Sequence, residues 1–387
     1  MSLPIRFDST ETGAPTVNNA NGSVVALATA LLETGFNVKS ITAIVVASGV
    51  ATVQCPTHGY ACGFGQLVKI TGASVPALGG NKQPTLVDAN YFTFPAPGVA
   101  DGSYTATDAR RAPLGWVKTF ADGGNTKAIY SRSAPAANPI SLRIDDSGSA
   151  PATTSGSRVI MVTGATGVST YTAQAPTDAQ VSGGIIATKV ANSATAKQWI
   201  AIGTDLDFFL FVGDAGSARY MPAICFFDGV PFRPGDAYFT ALAGTSGSSV
   251  SSVGNKLFVS NLLTSTPGTP ANGVIFSDEI GVGAPESFDV APLFKTSAGH
   301  GAGTGAQPTD PLDFAIGFDA FVRGTKAGVR GTVPGNGEPF VDVSAMTGFS
   351  LFTVQDTDSG GKVLLVKIAY GGSSAGMTAF KLSEEWR

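Results

Sequence analysis

The fold is decided by the stretch Lys197–Gly244, KQWIAIGTDLDFFLFVGDAGSARYMPAICFFDGVPFRPGDAYFTALAG. It holds four short apolar runs, each of four to six residues: Trp199–Ile202, Asp207–Val212, Ile224–Phe227 and Ala237–Leu242. The runs are rich in aromatic and β-branched side chains and are bounded by Gly, Pro or Asp, a pattern typical of buried strands. The gap Gly203–Leu206 predicts a hairpin loop between the first two strands. This stretch therefore predicts the centre of an all-β core.

The composition indicates a protein that works inside an assembly. Only 13% of the 387 residues are charged, about half of the roughly 25% that is usual. The chain also has 49 Gly and 23 Pro, which predict frequent turns. A low share of charge suits a subunit that buries much of its surface against neighbours. The net charge of −4 argues against nucleic-acid binding, which needs a basic surface.

The sequence predicts no membrane insertion. The start MSLPIRFDSTETG has neither the basic nor the apolar region of a signal peptide. No apolar run approaches the ~20 residues that span a bilayer. The three Cys, an odd number, do not indicate a disulfide framework. We therefore expect the protein to be made and folded in a reducing cytoplasm.

Residues 1–39 are predicted to form the N-terminal segment and helix of a main body. Residues 1–22 are rich in Pro, Gly and Asn and are predicted to be irregular. One helix is predicted over Val24–Glu33, with Ser23 as its N-cap and Gly35 closing it. Its apolar residues share one face, so we expect it to pack into the protein.

Residues 40–109 are predicted to form a small inserted β domain, which we call the module. Five short strands are predicted in it: Ile41–Val46, Ala51–Cys55, Gln66–Thr71, Thr85–Val87 and Tyr91–Phe94. So many short strands in so short a stretch indicate a small barrel or sandwich. Ala47–Val50 is predicted as the turn between the first two.

Residues 110–387 are predicted to form the main β body. Strands are predicted on both sides of Lys197–Gly244, at Trp116–Phe120, Lys127–Ser131, Ile140–Ile144, Val159–Thr163, Gly184–Lys189, Lys256–Ser260, Gly273–Phe276, Phe349–Gln355 and Lys362–Tyr370. The fold prediction is thus all-β: a β-sandwich-like main body with one short N-terminal helix and an inserted small β-barrel-like domain.

Two places in the sequence carry residues that can bind metal ions, and no metal site is predicted at either. Cys55, His58 and Cys62 lie close together, but a structural zinc needs four ligands and the sequence offers no second pair. Asp356–Gly361 resembles the start of a calcium loop, but its twelfth position is Lys367 instead of a carboxylate. That stretch and Asp145-Asp146-Ser147-Gly148 are predicted as turns. The sequence leaves open whether carboxylates from several turns meet and bind a cation together.

No catalytic or cofactor-binding residue is predicted, and the chain is not predicted to be an enzyme. His58 and His300 sit in Gly-rich surroundings without a partner in sequence. Gly164–Gly167 and Gly301–Gly305 lack the strand and helix context of a phosphate loop. Tyr60, Tyr91, Tyr104 and Tyr171 are candidates for binding sugars or the surfaces of partner proteins, although aromatic residues are also common inside strands.

Several segments resemble a family of virion structural proteins from tailed bacteriophages and prophages. They are Gly22–Phe36, Pro113–Tyr130, Leu142–Gly148, Ala179–Lys189, Lys197–Gly213, Phe226–Gly244 and Arg330–Gly335. The terminus FKLSEEWR matches only in part, because the family tends to end in apolar-Gly-Pro-Trp-Arg.

The module has a resemblance of its own. Gly49–Val53, His58–Tyr60, Gly65–Ile70 and Asp88–Phe94 are similar to a small β module inserted repeatedly in phage tail proteins. In the family this module is often absent, so that Lys39 would connect almost directly to the segment from Pro113.

The resemblance implies a structural component of a tailed phage virion, assembled in the host cytoplasm. We expect a multi-copy tail, collar or baseplate subunit whose partners are other virion proteins and copies of itself. The alternatives are a capsid decoration or head-fibre protein, and a tail protein that binds or degrades a host-surface glycan.

Overall fold

The structure is a computed structural model of the chain. It describes residues 3–149, 156–178, 183–189, 194–214, 219–231, 239–244, 273–276, 286–291, 321–324, 330–332, 334–337, 352–356, 361–370 and 374–386. The predicted strand Lys256–Ser260 lies outside these residues. Within them strands far outnumber helical turns, which confirms the all-β prediction.

The strands are short and numerous along the described chain. The first ten are Ile5–Asp8 (β1), Phe36–Ser40 (β2), Ala43–Ala47 (β3), Val50–Gln54 (β4), Val68–Thr71 (β5), Gly80–Lys82 (β6), Leu86–Val87 (β7), Tyr91–Pro95 (β8), Gly102–Tyr104 (β9) and Asp108–Arg111 (β10). The next ten are Val117–Ala121 (β11), Lys127–Ser131 (β12), Ser141–Asp145 (β13), Gly156–Thr163 (β14), Ala173–Ala175 (β15), Ile185–Thr188 (β16), Trp199–Gly203 (β17), Phe208–Asp214 (β18), Arg219–Pro231 (β19) and Phe239–Ala243 (β20). The last are Gly273–Phe276 (β21), Glu286–Ala291 (β22), Phe321–Gly324 (β23), Arg330–Thr332 (β24), Asn336–Gly337 (β25), Phe352–Asp356 (β26), Lys362–Tyr370 (β27) and Ser374–Lys381 (β28).

The stretch Lys197–Gly244 contributes four strands to a 13-stranded sheet, as its apolar runs predict. β17, β18, β19 and β20 are consecutive antiparallel neighbours. The hairpin between β17 and β18 turns at residues 204–207, one residue later than predicted, because Gly203 still pairs with Phe208. β19 also pairs with β24, so β19 to β24 close a ring of pairings.

A second sheet of six strands completes the main body. It is built from β11 to β16, with β14 pairing to both β15 and β16. One cluster of buried apolar residues joins this sheet to the strands β17–β20 and to the helix. Trp116 lies inside it, with its ring 5.5 Å from that of Phe226 and 6.4 Å from that of Phe208. The main body is therefore sandwich-like, with large aromatic residues between its two sheets.

The predicted helix is present but is built differently at both ends. It is an α-helix over Ser23–Thr29 (α1), and a π-helical turn over Ala30–Thr34 continues it up to Gly35. Ser23 as N-cap is wrong: it is the first helical residue, and its hydroxyl donates to the carbonyl oxygen of Asn18. The carboxylate of Asp146 takes the cap's place and accepts the N–H of Val24 at 2.9 Å. A capping group so distant in the chain cannot be read from local sequence.

The prediction that residues 1–22 are irregular is wrong at β1. Ile5–Asp8 pairs antiparallel with Ile200–Gly203 and forms an edge of the large sheet. Its sequence IRFD alternates apolar and polar side chains, and it is only four residues long. An edge strand of this length is set by its neighbour more than by its own propensity.

The module consists of two sheets facing each other. One has the order β7-β8-β4-β3-β9 and the other the order β2-β10-β5-β6. Four of these strands were not predicted, namely β2, β6, β9 and β10, because they are short and carry polar residues. The predicted turn Ala47–Val50 is tighter than expected. Only Ser48 and Gly49 form it, with φ of 51° and 75°, the left-handed pair of a type I′ hairpin.

The module has a hydrophobic core of its own. Its buried apolar residues run from Ile41 to Ala109 and form a cluster separate from that of the main body. Phe92 and Phe94 are at its centre, together with Ile44 and Val53 from the facing strands. The cluster lies within residues 40–109, whereas β2 and β10 carry one of the two sheets out to Phe36 and Arg111. The bounds of the inserted domain and its independent folding stay predictions.

Candidate functional site

The outer face of the five-stranded sheet of the module carries no charged residue. Directly opposed residues of antiparallel strands point to the same face of a sheet. Val45 pairs with Thr52, Thr52 with Thr93, and Thr93 with Leu86. Alternation along each strand adds the rest of this surface. We call it the uncharged face: Ala43, Val45, Ala47, Val50, Thr52, Gln54, Leu86, Tyr91, Thr93, Pro95 and Ser103.

The uncharged face is open to solvent. None of its residues is buried. Val45 is 40% exposed, Val50 44% and Leu86 53%, and these are three of the seven large apolar side chains exposed on the described chain. The five strands together hold 20 residues, and spacings of ~4.8 Å between strands and ~3.4 Å along them give the face an area of about 330 Å². Thr52, Gln54, Thr93 and Ser103 are polar, so the face is a mixed patch of apolar and neutral polar side chains. Its size is that of the largest apolar patch on an ordinary protein surface, which is often functional.

The opposite sheet of the module has a different outer face. Lys69, Asp108 and Arg110 lie on it in register, with Arg110 paired to Lys69 across the strands. Arg110 Nη2 contacts Asp108 Oδ1 at 2.7 Å, and both side chains are partly exposed. This charged face is ordinary soluble surface. The contrast makes the uncharged face the candidate surface for a partner.

Sequence reasoning missed the uncharged face because β3 gave no alternation to read. Its sequence AIVVA is apolar at both inward and outward positions, yet its burial alternates strictly. β4 does alternate, as VATVQ. Only the register across strands gathers these outward residues into one surface. Tyr91, a predicted candidate for sugar binding, lies on the edge of this face.

Arg111 fixes the module to the main body. Its side chain is 3% exposed, and its Nε donates to Glu11 Oε2 at 2.6 Å. Nη1 donates to the carbonyl oxygen of Leu67 at 2.7 Å, which belongs to the module. The guanidinium also lies 4.8 Å from the ring centre of Phe7 in β1. One side chain thus contacts the N-terminal segment, the main sheet and the module, and we call this junction the seam.

The backbone closes around the same arginine. Nη2 of Arg111 donates to the carbonyl oxygens of Arg6 and Gly65, and the N–H of Arg6 donates to Gly65 at 3.0 Å. Gly35 lies against the Arg111 backbone at φ 73°, where a Cβ would overlap the Arg111 carbonyl oxygen. The uncharged face is therefore held at a defined position relative to the main body.

A cleft of about 270 Å³ opens at the seam. Its lining includes Arg6, Asp8, Glu11 and Arg111, two cations and two carboxylates. Glu11 Oε1 accepts the N–H of Asp8 at 3.1 Å, and Asp8 Oδ2 lies 3.4 Å from Arg6 Nη1. These four charged residues contact one another and their charges sum to zero. We therefore interpret them as residues that hold the seam together.

The histidine and cysteines of the module lie in different environments. His58 is buried; its Nδ1 accepts the N–H of Tyr60 at 2.8 Å and its Nε2 is 3.1 Å from the Tyr91 carbonyl oxygen. Cys55 is buried, and burial raises the pKa of its thiol to about 11, whereas Cys62 is exposed. In the described part of the chain no three His, Cys, Asp or Glu residues are grouped to hold a metal ion.

Asp145 and Asp146, predicted as turn residues, are both buried in the main body. Asp146 Oδ1 lies 2.5 Å from Lys189 Nζ, and neither side chain is exposed. Asp146 also accepts the Ser157 hydroxyl at 2.9 Å. Burial raises the pKa of Asp146 above its usual value, although Lys189 acts to lower it. This ion pair joins α1, β14 and the end of β16, which makes it structural.

The remaining candidate residues lie apart from one another. Tyr60 is buried, and its hydroxyl lies within hydrogen-bond distance of the carbonyl oxygens of Asn37 and Ala109. Tyr104 donates to Ala100 and Tyr171 to Gln174. Gly164–Gly167 lies in the turn between β14 and β15, and Asp356 at the end of β26 pairs with Lys362 at the start of β27. His300, Gly301–Gly305 and residues 357–360 lie outside the described residues.

No family model matches the chain, and the search of curated proteins gave no match. Among the described residues, no helix has the length and apolar character needed to span a membrane.

Proposed function

We propose that the chain is a structural subunit of a tailed bacteriophage particle. It is present in several copies at the tail, collar or baseplate, and it acts by binding neighbouring copies and other virion proteins. The observation that carries this proposal is the uncharged face of the module. An exposed sheet face without charge gains stability when a partner covers it.

The seam supports the same proposal, because an assembly surface must be held at a fixed angle to the body that carries it. Arg111 contacts Glu11 and Phe7 on one side and the Leu67 carbonyl on the other. A buried arginine with so many partners restrains the rotation of one unit against the other. A rigid junction suits a particle subunit better than a flexible tether does.

One observation favours a second function, the binding of a neutral host-surface glycan. The uncharged face carries Tyr91, Thr52, Thr93 and Gln54, whose rings, hydroxyls and amide suit a neutral sugar chain. Binding of neutral polysaccharide by the purified protein, with release of reducing sugars as a second readout, would favour this function over assembly.

Immunogold electron microscopy tests the proposal on purified particles of the phage or prophage that encodes the chain. We expect gold to cluster at the tail-bearing vertex, and antibody preabsorbed with the purified protein is the control. Label spread over the head would instead make the chain a capsid decoration or head-fibre protein. Absence of label from both intact and disrupted particles would refute a virion role.

A further inference from the structure

The cleft at the seam is lined by a buried amide that the protein itself leaves unsatisfied. Gln66 lines the cleft and is 3% exposed. Its side-chain amide makes no hydrogen bond to any residue that the structure describes, and neither of its polar atoms is fully enclosed by protein. The amide therefore opens on the cleft. Since a buried amide is costly to leave without a hydrogen bond, its partner must come from what fills the cleft.

Two further neutral polar groups line the same cleft. Asn37 Nδ2 donates to the carbonyl oxygen of His58 at 2.6 Å, which fixes the amide, while Asn37 Oδ1 accepts no hydrogen bond from the described chain. The hydroxyl of Thr12 also has no hydrogen-bond partner among the described residues. Together with Gln66 these groups offer both donors and acceptors. They come from the N-terminal segment, from β2 and from the stretch before β5, so one ligand would contact all three.

The charged residues of the cleft restrict the ligand to a neutral molecule. Arg111 Nε donates to Glu11 Oε2 at 2.6 Å, and Arg6 Nη1 lies 3.4 Å from Asp8 Oδ2. A charged ligand would have to displace one of these contacts and leave a poorly hydrated charge behind, which is costly. A neutral ligand can leave all of them in place.

The size and lining of the cleft narrow the choice among neutral molecules. Its volume of about 270 Å³ is just under the ~300 Å³ at which typical small-molecule sites begin. Nine of the twelve lining residues have polar or charged side chains, and Phe36 and Tyr60 add aromatic rings. A largely apolar molecule would leave those polar groups unsatisfied. A single sugar ring carries hydroxyl donors and acceptors around its edge and apolar C–H groups on its faces, which matches this lining.

We infer that the seam cleft binds one neutral sugar residue, with the Gln66 amide, Asn37 Oδ1 and the Thr12 hydroxyl as its hydrogen-bonding groups. The site is distinct from the uncharged face, and the inference does not depend on the proposed virion role. A ligand of this size forms few contacts, so we expect a dissociation constant in the millimolar range. Several copies held together would bind a sugar chain more tightly.

Saturation-transfer NMR on the full-length protein tests this inference. The neutral probes are the methyl glycosides of glucose and galactose, and N-acetylglucosamine. Glucuronate has the same kind of ring with a carboxylate, and sorbitol has as many hydroxyls without a ring. We expect saturation to reach the ring protons of at least one neutral sugar, and to reach neither glucuronate nor sorbitol.

Variants assign the binding to the cleft. Gln66→Met keeps the length of the side chain but removes the amide, and we expect binding to weaken about tenfold. Its urea midpoint should stay the same or rise, because the amide has no partner in the described protein. Ala61 is exposed and lines the cleft, so Ala61→Trp should fill the cleft and abolish binding, with circular dichroism checking the fold. Gln54→Met, the same change on the uncharged face, is the matched control and should bind normally.

Each other outcome overturns the inference. Absence of transfer to every neutral sugar at tens of millimolar refutes a sugar site, and transfer to glucuronate or sorbitol alone refutes a neutral ring as the ligand. Binding that Gln54→Met abolishes, and that Gln66→Met and Ala61→Trp leave intact, places the sugar on the uncharged face. The virion proposal is decided separately: particles labelled by immunogold support it whether or not the cleft binds sugar.

Discussion

The main body and the module bury polar groups in opposite ways. The body encloses complete ion pairs, such as Asp146 with Lys189 and Arg132 with Asp228 at 2.6 Å. The module, residues 40–109, buries only two polar side chains, His58 and Gln66, and neither belongs to an ion pair. Buried ion pairs hold segments that are distant in the chain, whereas the module gathers local strands around an apolar core. Each unit should therefore respond to a different kind of substitution.

Removing the module is the largest change that tests this contrast. Lys39 and Ala109 are register partners in β2 and β10, so deleting residues 40–109 joins neighbours in space. We expect the main body to keep its β-sheet circular dichroism and a cooperative thermal transition. Deleting residues 30–99, a segment of equal length that breaks the helix, is the control and should unfold the body. Loss of the cooperative transition after the first deletion would contradict an independent main body.

Lys189→Met should cost the main body about 3–5 kcal/mol of unfolding free energy, because it leaves the buried Asp146 carboxylate without its cation. Urea denaturation measures the loss. The double variant Asp146→Leu with Lys189→Met removes both charges and should recover much of the stability. A single variant within about 1 kcal/mol of the wild type would show that water or another group satisfies Asp146.

Arg111→Met should cost less, about 2 kcal/mol, since Glu11 is partly exposed and can regain water. The local effect should be larger than the global one. Hydrogen exchange at the Arg6 amide, which donates to Gly65, should accelerate, while amides in β18 stay protected. Arg110→Met on the charged face is the control, with a cost below about 0.5 kcal/mol. Unchanged hydrogen exchange at the Arg6 amide in Arg111→Met would contradict the role of Arg111 at the seam.

The smallest expected effect is a change in pH dependence from Asp145→Asn. Burial acts to raise the pKa of Asp145, but hydrogen bonds from Ser147 and the charge of Lys127 outweigh it and bring this pKa below its usual value. A lowered pKa contributes stability above the unfolded value near 3.9 and loses it as pH falls through the folded value.

The amide introduced by Asp145→Asn does not titrate, so the variant should lose less stability than the wild type between about pH 4 and pH 2. Urea midpoints across that range measure the difference. Asp122 is a half-buried turn carboxylate whose pKa is also lowered, and the variant Asp122→Asn shows how much of the effect depends on deeper burial. Parallel curves for the wild type and Asp145→Asn would contradict a lowered pKa at Asp145.

Local sequence was enough to predict most strands but not the contacts that join them. Lys127–Ser131 and Lys362–Tyr370 were placed with the bounds observed, because apolar runs between turn residues carry that information. The cap of α1 was missed because its acceptor, Asp146, lies 122 residues from Val24. β1 was missed because an edge strand takes its conformation from its neighbour.

The candidate site was harder to predict than the fold. Val45 and Leu86 look like core residues in sequence, and nothing local says that they point outward. Only the register between β3, β4, β8 and β7 brings them onto one surface. The seam was equally hidden, because Arg111 and Glu11 have no sequence pattern that links them.

The pairing of β2 with β10 has a practical consequence. The chain leaves the main body and returns to it on adjacent antiparallel strands, with Ser40 opposite Asp108, so the two entry points are ~5 Å apart. Any foreign domain whose own termini are neighbours would meet the same two attachment points. A main body that folds without the module would therefore accept grafted cargo between residues 40 and 108.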